Sequence, residues 1–144
     1  MSQAQASDAA VALTGRDTCI TGPEVDVTFR TSSMVGSLAE YYLGPELRRS
    51  DMRRLGTVLS TLTPLNVSED FALCVAARNP AAARDLALSE PGSATEAQAG
   101  ALLGGYVPDC TNPGERLTVD LQSLRALTST ALYRAMSRMN TAAN

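Results

Sequence analysis

Asp120-Leu121-Gln122-Ser123-Leu124-Arg125-Ala126-Leu127-Thr128-Ser129-Thr130-Ala131-Leu132-Tyr133-Arg134-Ala135-Met136-Ser137-Arg138-Met139 is the stretch from which the fold is read. Leu121, Leu124, Leu127, Ala131, Leu132, Ala135, Met136 and Met139 recur at the spacing that places apolar side chains on one broad helical face. Asp120 stands just before the run, where a short carboxylate can accept an unsatisfied amide of the first turn. The stretch predicts an amphipathic helix over about 121 to 139. The rest of the chain reads as elements packed around it.

Upstream, cap and turn residues divide the chain into short helices. Ser68-Glu69-Asp70 supplies a cap and first-turn acids for a helix over about 69 to 78, with Phe71, Cys74 and Val75 inward. Asn79-Pro80 restarts the chain, asparagine capping and proline taking the first helical position, and Ala81 to Leu88 follow. Pro91-Gly92 turns it again. Ser93-Ala94-Thr95-Glu96 then has capping-box spacing for a helix to about Tyr106, in which Gly100, Gly104 and Gly105 are tolerable where they mark close helix contact. Val107 to Gly114 is a loop containing Cys110.

Nearer the N-terminus, Met34, Leu38, Tyr41 and Tyr42 share one side of a helix expected over about 33 to 43 and ended by Gly44-Pro45. Pro45 opens a further helix to about residue 62, with Leu55, Val58, Leu59 and Leu62 inward and Arg48, Arg49, Arg53 and Arg54 in its first half. Residues 3 to 14 read as a short helix, Arg16 to Asp26 as a loop holding Cys19, and Val27-Thr28-Phe29 as a brief extended lead-in.

A chain of 144 residues is long enough for one domain with a real core. We expect a single helical domain over 1–144, with lead-in helices over 1–62 and a cysteine-containing helical unit over 66–140. Among the 44% hydrophobic residues there are only two Phe and no Trp, while alanine abounds. Small side chains let helices approach closely, and a sheet sandwich would want β-branched and aromatic residues. The expected fold is therefore all-α, a compact bundle of about six short helices. Met34 to Leu43 also aligns with Leu124 to Tyr133, and Cys19 with Cys110 at nearly the same offset. Two degenerate copies of a helical unit, or coincidence between two amphipathic helices, both account for that alignment.

Charge and residue types exclude several functions. All twelve basic residues are Arg, and there is no His, so Ser-His or Cys-His activation within this chain and His-based zinc sites are ruled out. Three widely separated cysteines do not resemble a zinc cluster, and no metal or cofactor is expected. A net charge of -3 disfavours a nucleic-acid partner, which needs a basic face. No apolar run of membrane-spanning length is present, and no small-molecule site is evident. The first residues lack the apolar segment of a signal peptide, although Ala4-Gln5-Ala6 has the form of a cleavage remnant. No phosphate loop, dinucleotide fingerprint or nucleophile elbow occurs.

Cys74-Val75-Ala76-Ala77-Arg78-Asn79-Pro80-Ala81-Ala82-Ala83-Arg84, then Pro91-Gly92-Ser93, Glu96, Cys110 and Leu124-Arg125 through Ala131-Leu132-Tyr133-Arg134, together resemble a group of uncharacterised small exported all-helical bacterial proteins. Their pattern runs C-V-x-x-R-x-P-x-x-A-x-x-L, P-G-S-x-x-E, a second Cys and L-R-x-x-x-x-x-A-L-Y-R. The resemblance covers about half the chain and carries no activity and no catalytic residues. It implies a periplasmic or extracellular location, with the cytoplasm as the alternative, and a disulfide between Cys74 and Cys110. The other reading of those two is a buried small hydrophobe and a reduced surface thiol. Cys19 is then a free or intermolecular thiol.

These observations lead us to expect a non-enzymatic protein-binding or assembly domain that meets a protein partner or a second copy of itself. An alternative is an anion- or nucleic-acid-associated accessory protein using Arg48, Arg49, Arg53 and Arg54, although Glu46 and Asp51 beside them fit a solvated helix face. A third reading, a carboxylate-based hydrolase, needs two close acids from a set such as Asp17, Glu24, Asp26, Asp109, Glu115 and Asp120. Loop carboxylates of this kind usually serve as caps and turn formers. Asn66-Val67-Ser68 fits a glycosylation sequon but is better read as a helix start.

Overall fold

Short polar side chains mark out the helices of the computed structural model, which describes residues 31–114 and 116–142. In chain order these are α1 (Thr31–Leu47), α2 (Met52–Thr61), α3 (Val67–Arg78), α4 (Pro80–Leu88), α5 (Ala94–Gly104) and α6 (Leu121–Thr141), with a 3-10 turn at Pro108–Cys110. No strand occurs among the described residues, so the chain is an all-α bundle of six helices there. The expected helix over 3 to 14, the extended piece at Val27 to Phe29, and Cys19 lie outside the described residues.

Five of the six helices start on a side chain that accepts an amide of the first turn. Asp51 caps α2 through the Arg54 amide at 2.9 Å, Asn79 caps α4 through Ala82 at 3.0 Å, and Asp120 caps α6 through Ser123 at 2.8 Å. Ser93 accepts from Glu96 at 3.1 Å, the first half of the expected capping box. The reciprocal half is displaced: Glu96 reaches past the cap to the Gly92 amide at 2.6 Å. The cap of α3 is Asn66, not Ser68, accepting from Glu69 at 2.9 Å. That shift leaves Glu69 and Asp70 in the first turn, where carboxylates suit the helix dipole.

The first described helix corrects two expectations. Gly44-Pro45 does not end it; α1 continues to Leu47. Proline costs a helix about 3 kcal/mol where it removes a hydrogen bond. Here Leu43 and Leu47, one turn apart across Pro45, are both buried, and Gly44 offers no Cβ to clash with the ring. The helix breaks instead over Arg48 to Asp51, so Arg48 and Arg49 sit in a turn and Arg53 and Arg54 in the first turn of α2. The inward face also differs: Met34, Ala39, Leu43 and Leu47 are buried, while Tyr41 and Tyr42 are 79% and 61% exposed. The two rings pack edge to face at 5.4 Å in solvent, where an amphipathic aromatic side chain is at home.

The remaining packing follows from small residues and from α6. Leu124, Ala131, Leu132, Ala135, Met136 and Met139 of α6 are buried as the sequence predicts. They meet Leu55 and Leu59 of α2, Phe71 and Val75 of α3, Leu86 of α4 and Leu103 of α5 in one core. Each fully buried leucine of this set contributes about 1.5–3 kcal/mol relative to exposure. Along the other side of α6 lies α1. Gly36 meets Ala126, Glu40 bonds Ser129, and Glu46 bonds Asn140, so the two helices run parallel. A Cβ built on Gly36 would stand 2.5 Å from the Ala126 Cα, so the two helices approach closely there. At Gly100 of α5 a Cβ would meet the tip of the Leu121 side chain, a flexible obstacle rather than a backbone one.

Candidate binding surface

Cys74 on α3 and Cys110 at the end of the 3-10 turn have their sulfurs 2.09 Å apart and their Cα atoms 5.7 Å apart, a disulfide across 36 residues. It ties the loop between α5 and α6 back to α3. The four clustered arginines do not converge. All are exposed, and only Arg49 and Arg54 line a common shallow cleft of about 320 Å³, together with Glu46 and Asp51. The Asp51 carboxyl is held below its ordinary range, first by the Arg54 amide and then by the Arg53 amide. Of the loop carboxylates, Asp120 is a cap and Asp109 lies in the 3-10 turn; Asp17, Glu24, Asp26 and Glu115 are outside the described residues.

Two carboxylates do come together, Glu40 and Glu96; neither is among the acids weighed for catalysis, and Glu96 enters the sequence reading only as a capping-box and motif residue. Arg125 of α6 is buried and grips Glu40 of α1 with both forks, Nε to Oε1 at 2.8 Å and Nη2 to Oε2 at 3.0 Å. Its Nη1 donates to Glu96 of α5 at 2.8 Å, and Nη2 donates to the Ser89 carbonyl at 2.8 Å. Ser129 donates to Glu40 at 3.0 Å and Gln122 to Glu96 at 3.3 Å. Every carboxylate oxygen in the cluster is thus occupied by a donor. The Gly92 amide, and after it Arg125, hold the Glu96 carboxyl below its ordinary range, so it is ionised at neutral pH and offers no proton. Chemically this is a clamp joining α1, α5, α6 and the end of α4. Its sequence signals are a charged residue on the apolar side of α6, four residues after Leu121 and three before Thr128, and the places of Glu96 and Arg125 in the P-G-S-x-x-E and L-R motifs.

A second feature escapes sequence reasoning because three separate elements build it. A groove of about 560 Å³ runs between Val35 and Ala39 of α1, the corner from Leu65 to Glu69, and the α6 face from Ala126 to Arg134. Its floor is mainly apolar, made by Ala39, Ala72, Leu127 and Ala131. Leu65 on its rim is 77% exposed and Val67 nearby is 81% exposed. Tyr42 follows Ala39 by three residues and Val35 by seven, so it extends the same face of α1. Arg134 fixes one wall. Its Nη1 lies 2.6 Å from Glu69 Oε1, its Nη2 donates to the Thr63 carbonyl at 2.8 Å, and Glu69 Oε2 accepts the Leu65 amide at 2.5 Å. The exposed leucine is thereby held in place.

Among the described residues no cluster of Cys, Asp and Glu could hold a metal ion, and no helix is long and apolar enough to cross a membrane. No protein-family model matches the chain, and no curated protein or solved structure matches it either.

Proposed function

We propose that the chain is a non-enzymatic binding module that seats an apolar helical segment of a protein partner in the groove between α1, the α2–α3 corner and α6. The observation that carries this reading is the groove itself, with Leu65 held exposed on its rim by the Glu69–Arg134 pair. Large apolar side chains in an exposed, concave and rigid setting are the ordinary mark of a docking site. From Ala126 to Ser137 the α6 wall is about 16 Å long, three turns, which suits anchors at i, i+4 and i+7 of a partner helix. The Cys74–Cys110 disulfide supports work in an oxidising, exported location. The Arg48 to Arg54 face is the poorer candidate, since Glu46 and Asp51 share its cleft.

The test uses a labelled amphipathic peptide of three to four turns with leucine at those anchor spacings, followed by fluorescence anisotropy. Saturable binding should be lost in Thr130→Arg and in Leu65→Glu while the circular dichroism and melting temperature of the protein stay unchanged. Binding that survives both substitutions would place the site elsewhere.

A further inference from the structure

The apolar groove does not end at Arg134. Arg134 and Ser137 also line a second cleft of about 620 Å³, formed with Thr61, Leu62 and Thr63 at the end of α2 and with Arg138 and Thr141 in the last turns of α6. The two clefts adjoin at Arg134 and Ser137 and follow the same side of α6, the first mainly apolar beside Ala126 to Ala131 and the second carrying the charge of Arg138.

The charges along the two clefts are unequally satisfied. Glu69 is committed to Arg134 and to the Leu65 amide. Arg138 is exposed, and no carboxylate among the described residues lies within ion-pair distance of it. The hydroxyls of Thr61, Ser137 and Thr141 donate to carbonyls of their own helices and Arg134 is paired with Glu69, so Arg138, beside the Thr63 hydroxyl, carries the uncompensated charge of the cleft.

We infer that the segment docking along these clefts is an amphipathic helix with an acidic end: an apolar stripe lies over Ala126 to Ala131, and carboxylates at one terminus meet Arg138. The inference rests on the groove being a docking site and adds the polarity of its occupant. From Ala126 to Thr141 the two clefts follow about 22 Å of α6, which suits a partner helix of about fifteen residues. Arg138 remains solvated, and the carbonyl end of α6 opposes an anion there, so the charge contributes modestly to affinity and mainly sets direction and partner choice.

The experiment compares fifteen-residue peptides with the same leucine stripe and matched helicity, bearing Glu-Glu, Gln-Gln or Lys-Lys in the first or the last turn. One of the two Glu peptides should bind about two- to fivefold tighter than its Gln counterpart, the range of an exposed ion pair. The Lys peptide should bind more weakly than either. Arg138→Gln should equalise the Glu and Gln peptides while leaving the affinity of the Gln peptide unchanged. Equal binding of Glu and Gln peptides to the unsubstituted protein, or a Glu preference that survives Arg138→Gln, would overturn the acidic-end assignment with the docking reading intact. Failure of every peptide to bind would overturn the docking reading itself. Dodecanoate binding that depends on Arg138, with no peptide bound, would assign the clefts to an anionic lipid instead.

Discussion

Gly36→Ala probes the parallel contact between α1 and α6 where the glycine meets Ala126, and two opposed effects decide its sign. Replacing a helical glycine by alanine stabilises an exposed helix by about 1 kcal/mol. At Gly36, however, the new Cβ would lie 2.5 Å from Ala126 Cα, 2.6 Å from its Cβ and 3.1 Å from its carbonyl oxygen. Two of these atoms are backbone, so no rotamer change relieves the contact, and α1 must retreat from α6 by roughly 1 Å to reach ordinary contact. That movement also stretches the Glu40–Arg125 bonds at 2.8 and 3.0 Å. Overpacking of this kind costs about 1–3 kcal/mol, and a backbone obstacle places it at the upper end, for a net loss near 2 kcal/mol after the propensity gain. For a domain of this size the melting temperature should fall by about 6 °C, read by far-ultraviolet circular dichroism. Ala126→Gly should rescue little, because the Cα remains. Gly104→Ala, with nothing within 4 Å of its Cβ, should be neutral or stabilising. An unchanged or raised melting temperature in Gly36→Ala would refute the close approach of the two helices.

Arg125→Met leaves Glu40 and Glu96 without their shared cation and should cost about 3 kcal/mol in urea denaturation at neutral pH, the lower part of the range for breaking a buried pair because Glu40 is partly solvated; a loss below about 1 kcal/mol would mean water already screens the cluster. Acid should weaken the fold in a defined direction: the Glu96 carboxyl is depressed in the folded state, so its contribution is complete above the unfolded value near 4.5 and is lost as pH falls below it. The urea midpoint should therefore drop on acidification below that point, and Glu96→Gln should flatten this part of the profile. Cys110→Ser opens the 36-residue loop and should cost about 3 to 4 kcal/mol by loop-entropy arithmetic. Dithiothreitol should bring the unsubstituted protein to the same midpoint, and peptide mapping without reductant should recover Cys74 and Cys110 crosslinked.

The helix starts at Asn79, Ser93 and Asp120 were legible because a cap is a local event, a side chain bonding an amide three residues on. The buried stripe of α6 was legible because it repeats with the helical period. Gly44-Pro45 misled for the opposite reason: the turn beyond the proline is held by burial of Leu43 and Leu47, which no local rule contains. Helical spacing groups Tyr41 and Tyr42 with Met34 and Leu38 on one side of the helix, whereas the close approach at Gly36 turns the small side of α1 toward α6 and leaves the two rings outside. The arginine clamp joins residues separated by 85 and 29 positions, and the groove needs three elements assembled, so neither could be read along the chain.

The parallel pairing of α1 and α6 has a kinetic consequence. Two neighbouring helices that point the same way cannot be joined by a short turn, and the chain between these two makes four other helices before it returns. Their contact closes a loop of about 90 residues, a non-local pairing whose closure entropy must be met before the contact rewards it, which slows folding. During synthesis α1 leaves the ribosome with Ala39, Leu43 and Leu47 still uncovered, and the core cannot close until α6 has been made. Chaperone contact during synthesis should therefore concentrate on the apolar stripe of α1 in that interval.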